Sequence, residues 1–523
     1  MRGRLKFYTD SRQVSEVTLT ESLLCGIEAY AGRTGAYYSL CSGWILGQGR
    51  PKIQTVRNGA LDSIISRHLL TQTRSFYSRK QSSEKQISIF SFENVSHNLR
   101  NGKIMTTQTN GWSKRRTITA GIVGNVLEWY DFGVYGFFAS VIAVQFFPSD
   151  NPTVSLVAAF GAFAAGFLMR PVGAAIFGHI GDRYGRARAL QLSVMCMAAP
   201  TFIIGLLPTY ESIGAAAAVL MILMRMIQGA AVGGEYTSSI VFLAEAAPPG
   251  RRAFYTCWSM FGATGGILLG SAVGAVLSSN MDTEALNSWG WRLAFMMGIS
   301  VSLVGYFIRR GMSEEPVIEH DKAPLIEAFR NYRKDIFRVV GLNVVNSVTF
   351  YLIFVYAVTW LIKNVGESRS EALDINTASM VLLLVLLPLF AKLSDAWGRK
   401  KTLLLGIGGI AIFAYPLVKL MHHTDVVLIL AGQMGFAVLV ACFAASIPAV
   451  MTEMFPQKIR VTAVSVSYNI TFALLGGTSP MVALWLIERT HDDLSFAWLI
   501  SAAAVISFLF ALTVTDRRNE PLD

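Results

Sequence analysis

Residues 178–188 read GHIGDRYGRAR, and residues 391–401 read AKLSDAWGRKK. The two stretches are one motif written twice. Gly185 and Gly398, Arg186 and Arg399, and Arg188 and Lys401 share the offset that separates Asp182 from Asp395. Each copy is a short basic stretch between two long apolar segments. A duplicated loop in a chain of many apolar segments points to a membrane protein built from two similar halves, the construction of many transporters. A second repeat is independent of the first: Glu245, Pro248 and Arg252 recur as Glu453, Pro456 and Arg460 at one common offset of nearly the same length. Two parallel halves, related by an axis along the membrane normal, explain both repeats.

Composition agrees. Of the 523 residues, 53% are hydrophobic and only 15% charged, with a mean hydropathy of +0.45. A soluble domain averages about 25% charged residues, so most of this chain is not solvated by water. From residue 118 onward about twelve apolar segments follow, each of roughly 20 residues or more and each enough for a ~30 Å hydrocarbon core. The expected fold is an all-α membrane protein of twelve transmembrane helices in two six-helix halves. The halves are 113–309 and 337–515, joined by a linker at 310–336 and followed by a short tail at 516–523.

The net charge of +11 reflects topology and does not imply a nucleic-acid partner. Lys114, Arg115 and Arg116, the 183–188 and 399–401 runs, Arg251 and Arg252, Lys458 and Arg460, and Arg517 and Arg518 all fall on one side of the apolar segments. The loops at 149–153, 209–212 and 278–290 hold almost no Lys or Arg. Both termini and the linker are therefore expected in the cytoplasm. Cys25, Cys41, Cys196, Cys257 and Cys442 form no CxxC or Cys/His cluster, so neither a metal site nor a disulfide framework is implied. No cofactor is expected. No GxxxxGK[ST] loop is evident, and ATP drive is not expected.

Residues 1–112 are polar, rich in Ser and Arg, and hold no apolar run long enough to span. They also lack the apolar core of a secretory signal. The favoured expectation is a start at Met105 with a mis-assigned leader before it. A disordered cytoplasmic extension and an organelle-targeting segment are the alternatives.

Further motifs carry a family likeness: GNVLEWYDFGVYGFF (124–138), FLMRPVGAAIFGHIGDRYGR (167–186), RMIQGAAVGGEY (225–236), LAEAAPPGRR (243–252), WGWR (289–292) and EMFPQKIRVTAVSVSYN (453–469). Together with the duplicated loop they resemble the major facilitator superfamily, and within it the metabolite:proton symporter family of shikimate, 2-oxoglutarate, citrate and proline/betaine permeases. The stretch 438–456 leans towards the proline/betaine members. The resemblance implies a secondary transporter in the bacterial inner membrane, with no enzymatic activity.

The charges inside the apolar segments are the candidate chemistry. Glu128 and Asp131 stand three residues apart in the first segment and share a helix face, with Asn125 and Tyr135 on the same stripe. At 1.5 Å per residue Glu128 lies ~15 Å from the cytoplasmic end, close to the bilayer midplane. A charge there costs at least ~2.5–3.5 kcal/mol, so the stripe should face a cavity or an opposite charge. In the fourth segment Arg225, Gln228 and Glu235 share a face. Arg225 keeps its proton and needs a counter-charge or an anionic ligand. The matching Arg of the resembled family lies in a motif associated with proton coupling. Proton coupling is therefore assigned to Glu128, Asp131, Arg225 and Glu235, with a fixed salt bridge between the first and fourth segments as the bland alternative.

Arg170 stands in the second segment, either lining a cavity or bracing the gate. Asn343, Asn346, Tyr351 and Tyr356 in the seventh segment and Tyr468 and Asn469 in the eleventh join Asn125, Tyr135, Arg170 and Gln228 as cavity candidates. Interhelical hydrogen bonding is the alternative for each. The repeated loops read as a gate latch: Gly178, Asp182, Arg183, Gly185, Arg186 and Arg188 in the first copy, with Asp395, Gly398 and Arg399 in the second. Glu245, Arg252, Glu453 and Arg460 complete it. The second copy has Ala396 in place of Arg183 and Ala391 in place of Gly178, and is expected to be the weaker latch. In the fifth segment Gly262, Gly266, Gly270 and Gly274 form a small-residue face for close helix packing.

The sequence thus points to a monomeric, proton-coupled importer of a small organic acid or zwitterion, working by alternating access in the lipid bilayer. A uniporter or exchanger of the same fold, and a non-transporting membrane sensor, are the alternatives.

Overall fold

The structure, a computed structural model, describes residues 3–9, 12–19, 114–184, 186–299 and 324–522. Residues 1–107 and 108–523 form separate units. In the first unit, strands Gly3–Thr9 and Arg12–Leu19 pair antiparallel. That hairpin is the described part of the segment expected to be a disordered extension. Met105 lies outside the described residues.

The second unit is helical. Eight stretches are long and apolar enough to cross a bilayer: Pro152–Ala174, Ala215–Glu245, Arg252–Asn280, Arg333–Val365, Arg369–Trp397, Arg399–Met421, Val426–Glu453 and Arg460–Thr490. Four more helical stretches complete the twelve: Lys114–Phe137 with Ala139–Phe146, Arg186–Leu206, 291–299, and Phe496–Leu512. Of the linker, Pro324–Asn331 forms a short helix, and the seventh span begins at Arg333, ahead of the 337 read from hydropathy. Its first turn is charged, so apolarity alone misses it.

Polar caps set the outer helix ends. Asn151 accepts from the Thr153 amide (2.8 Å) with Pro152 at the first helical position. Ser368 and Glu371 form a reciprocal capping box at the start of the eighth span. Between the eighth and ninth spans Gly398 takes φ +123°, a conformation that a side chain would strain.

The halves meet along several lines, among them the first span against the seventh, the second against the eleventh, the fourth against the tenth and eleventh, and the fifth against the eighth and tenth. The glycine face of the fifth span does what its spacing predicts. A Cβ on Gly262 would lie 2.5 Å from the Ile122 carbonyl oxygen, and one on Gly266 would lie 2.4 Å from that of Val126. Only glycine lets the fifth span touch the backbone of the first. Ser271, on the same span, bonds Thr377 of the eighth at 2.9 Å and so ties the halves.

Candidate functional site: a midplane charge chain and a cytoplasmic latch

Asp131 and Arg225 are both buried, and a chain of hydrogen bonds joins them. The Arg225 guanidinium donates to Gln228 Oε1 at 2.7 Å. Gln228 Nε2 donates to Thr201 Oγ1 at 2.7 Å. The Thr201 hydroxyl contacts Asp131 Oδ2 and also reaches the Met197 carbonyl at 2.8 Å. The chain crosses the first, third and fourth spans. It absorbs three residues expected from the sequence and one that was not, Thr201. A single Thr beside Pro200 in an apolar helix is too weak a signal to single out.

The Thr201 hydroxyl suits either state of the carboxyl. With Asp131 ionised, the hydroxyl donates to it and accepts from Gln228. With Asp131 protonated, the carboxylic acid donates to Thr201 and the hydroxyl turns to the Met197 carbonyl. Both arrangements keep the Thr201 hydroxyl and the Asp131 oxygen beside it paired, while Nε and Nη2 of Arg225 take no part in the chain.

Arg225 also lies over the rings of Tyr135 (4.4 Å) and Phe132 (4.7 Å). Tyr135 donates its hydroxyl to the Ala159 carbonyl of the second span at 2.9 Å. Arg170 is held in the same way, over Phe167 (4.1 Å), Phe132 (4.7 Å) and Trp129 (5.2 Å). Glu128, also buried, lies one residue before Trp129. Glu235 is half-buried beside Ser193, whose hydroxyl is 3.5 Å away.

Several cavity candidates are engaged between helices here. Asn125 Nδ2 donates to Ser239 Oγ (3.0 Å) and to the Ser259 carbonyl (3.3 Å). Asn469 Nδ2 donates across the halves to the Gly233 carbonyl at 2.5 Å. Asn343 donates to its own helix at Val339 (2.9 Å). Asn346, Tyr351 and Tyr356 are buried in the seventh span. That helix widens to a π turn over Leu352–Tyr356, and the eleventh does so over Phe472–Gly476. Such turns recur at functional sites. A second polar chain also escaped the sequence: Gln433 donates to Asn376 (2.8 Å), which donates to Ser271 (3.1 Å).

The candidate latch lies at the cytoplasmic end. Asp395 accepts from the backbone amides of Ala253 (3.0 Å) and Phe254 (2.9 Å), and so caps the fifth span from the other half. A carboxylate there answers the free amides and the dipole of the helix N-terminus. Arg399 pairs with Asp395 (2.8 Å) and with Glu453 (3.2 Å). The second repeat closes crosswise: Arg252 pairs with Glu453 at 3.0 Å, and Arg460 with Glu245 at 2.7 Å. Arg252 also donates to the carbonyl of Glu520 in the tail. In the first loop copy Gly185, and the side chains of Asp182, Arg183, Arg186 and Arg188, lie outside the described residues, as do the surroundings of Gly178. At the opposite end Arg369 donates to Ser140 (3.1 Å) and Lys363 to Thr153 (2.9 Å), so polar ties between the halves stand at both ends.

Comparison with known proteins agrees with this architecture. Residues 117–310 match the family model described as Sugar (and other) transporter. Residues 339–522 match that of the Major Facilitator Superfamily. The proline/betaine transporter of Escherichia coli (strain K12) is 33% identical over 424 residues, 78% of this chain and 85% of the relative. The glycine betaine/proline/ectoine/pipecolic acid transporter OusA of Dickeya dadantii (strain 3937) is 34% identical over 424 residues, 78% and 84% respectively. Among solved structures, the proton:xylose symporter XylE bound to 6-bromo-6-deoxy-D-glucose aligns with a TM-score of 0.64 at 18% identity, over 78% of this chain and 97% of that one. A partially occluded inward-open form of XylE from E. coli aligns with a TM-score of 0.60, also at 18% identity, over 78% and 99%.

Proposed function

We infer, since the chain belongs to the major facilitator superfamily and is a multi-pass membrane transporter and not an enzyme, that it imports a small solute of the proline/betaine kind by proton symport across a bacterial inner membrane. The observation that carries the proton reading is the buried chain Asp131–Thr201–Gln228–Arg225. An ionisable carboxyl at membrane depth, linked to a cation that keeps its charge, is suited to take up a proton from one side and release it to the other. The substrates named for the relatives supply the solute class.

Alternating access follows from the two layers of contact. The cytoplasmic latch must open for inward release, and the ties at Arg369 and Lys363 for outward loading. Protonation of Asp131 removes one buried charge and lets the loaded carrier pass between the two arrangements. The described latch side chains pair with one another and with the tail, which suits them to bias the populations of the two states.

The test is uptake into vesicles reconstituted with the full chain, under an imposed pH gradient. Labelled proline, glycine betaine, citrate, shikimate and a dicarboxylate would be offered in turn. One of the zwitterions should accumulate uphill, and a protonophore should abolish that accumulation. Asp131→Asn should keep exchange of internal for external substrate while losing accumulation. Full pH-driven accumulation by both Asp131→Asn and Glu128→Gln, at matched protein amounts, would remove the proton assignment.

A further inference from the structure

The midplane holds more hydrogen-bond donors than the proton chain uses. Arg170 is 1% exposed, yet its Nε and Nη2 meet no acceptor. The indole N–H of Trp129 and the hydroxyl of Tyr351 also lack a hydrogen-bond partner. These groups are neighbours: Arg170 lies over the Trp129 ring, and that ring stacks on Tyr351 at 6.5 Å and 23°. Arg and Trp can only donate. Leaving such groups unsatisfied is costly, and more so for a charged one. Contact with aromatic faces offsets part of that cost. The complement of several buried donors with no acceptor is an anion, and the planar guanidinium fork fits a carboxylate.

Beyond Trp129 the lining adds ring faces and a carboxylate. Tyr236 meets the Trp129 ring edge-on at 5.7 Å, and Tyr468 lies against Tyr236 at 4.8 Å. The Glu128 carboxyl is within electrostatic reach of Tyr236, Tyr351 and Tyr468, and the Arg170 guanidinium is within reach of the last two as well. Ring faces beside a carboxylate attract a cation, including an alkylated ammonium that has no N–H to donate.

We propose that Arg170, with Trp129 and Tyr351, holds the substrate's carboxylate, while Tyr236 and Tyr468, with Glu128, hold its ammonium. The site then selects small zwitterions whose two charges sit a short linker apart. This assignment rests on the transport reading above and names the substrate class of that same site. It also divides the two carboxylates of the first span: Asp131 serves the proton through Thr201, and Glu128 serves the substrate cation. The six residues come from the first, second, fourth, seventh and eleventh spans, so both halves close on one ligand. Their rings are packed against one another here, and the ligand is admitted as the halves part.

Binding to the purified full chain in lipid nanodiscs tests the proposal, with melting midpoints measured for every variant. The probes are glycine betaine, proline, choline (the ammonium without the carboxylate) and 3,3-dimethylbutyrate (the carboxylate without the charge on its bulky end). Wild type should bind betaine, and bind each single-charge probe about 10- to 100-fold more weakly. Arg170→Gln should weaken betaine by a similar factor. Arg170→Lys keeps the charge but not the fork, and should fall between the two. Tyr468→Leu should weaken betaine more than proline. Because Arg170→Lys retains a buried cation, it decides the matter if Arg170→Gln fails to fold. Wild-type affinity in Arg170→Lys, or choline binding as tight as betaine, would overturn the carboxylate site. Betaine uptake that ignores a protonophore, with the Arg170 effects intact, would instead remove the symport reading and leave this site standing. Binding of neither betaine nor proline by wild type would overturn the substrate class itself.

Discussion

At the cytoplasmic end Arg252, Arg399 and Arg460 each have a carboxylate within 3.2 Å. At the midplane Arg170 has none among the described residues, and Arg225 reaches Asp131 only through Gln228 and Thr201. The same residue types are used in two ways. In the latch, opposite charges are matched directly, which fixes one arrangement of the halves and leaves nothing over for a ligand. In the centre, guanidiniums are stabilised by ring faces and by a neutral relay, which on the proposed reading leaves donors for a substrate and a carboxyl for a proton. A transporter needs both: a closure strong enough to define a state, and a site incomplete enough to be finished by its cargo.

The comparison breaks most readily at Glu453, which two buried guanidiniums share. Glu453→Ala leaves Arg252 and Arg399, 4% and 0% exposed in their side chains, without their common carboxylate. Removing one partner from a buried pair costs about 3–5 kcal/mol. The melting midpoint of the purified protein should fall steeply, and labelling of cysteines placed at the cytoplasmic end should rise as the latch opens. A midpoint within a degree or two of wild type would mean that the latch charges are solvated and hold little.

A smaller effect is expected in the centre, at Thr201. Thr201→Val keeps the shape and removes the hydroxyl, leaving Gln228 and Asp131 facing a methyl group. A buried polar group without its partner costs about 1–3 kcal/mol. Accumulation driven by a pH gradient should drop about tenfold, while substrate exchange, which needs no net proton transfer, changes little. Thr201→Ser should restore accumulation. Equal losses of accumulation and exchange, with no rescue by Ser, would make Thr201 a packing residue and uncouple Asp131 from Arg225.

What the sequence makes legible follows from the same physics. The twelve spans and the two halves are written in long apolar runs and in two repeated loops, because a bilayer tolerates little else. The glycine face of the fifth span is legible because four residues recur at one spacing. The approach of Gly229 to Gly166, where an added Cβ would lie 1.7 Å from a backbone oxygen, carries no such pattern. Glu245, Arg252, Glu453 and Arg460 stand out as a repeat, but their crosswise pairing depends on how the halves turn towards each other. Asn125 and Asn469 look like cavity groups in sequence and form helix ties here, since any buried amide must find partners. Thr201 and Gln433 are single polar residues in apolar helices and Asn376 lies in the polar first turns of the eighth span, and only their proximity in space reveals the chains they form.

The finest test separates two pairs that the repeat makes equivalent. Glu245–Arg460 and Glu453–Arg252 occupy matching positions in the two motifs, and their distances are similar, 2.7 and 3.0 Å. Their surroundings differ: the Glu245 side chain is 39% exposed and that of Glu453 is 4%. Water already solvates Glu245 and screens its charge, so Glu245→Gln should cost only about 0.5–1 kcal/mol, far less than loss of Glu453. Arg460 is further supported by the Thr452 and Phe455 carbonyls, each 3.1 Å from its Nε, which hold the guanidinium in place when Glu245 is neutral. A double-mutant cycle on Glu245 and Arg460, read by thermal or denaturant unfolding, should give a coupling in that small range and lower it further in high salt. A coupling as large as that between Arg252 and Glu453 would mean that symmetry, and not burial, sets the strength of the latch.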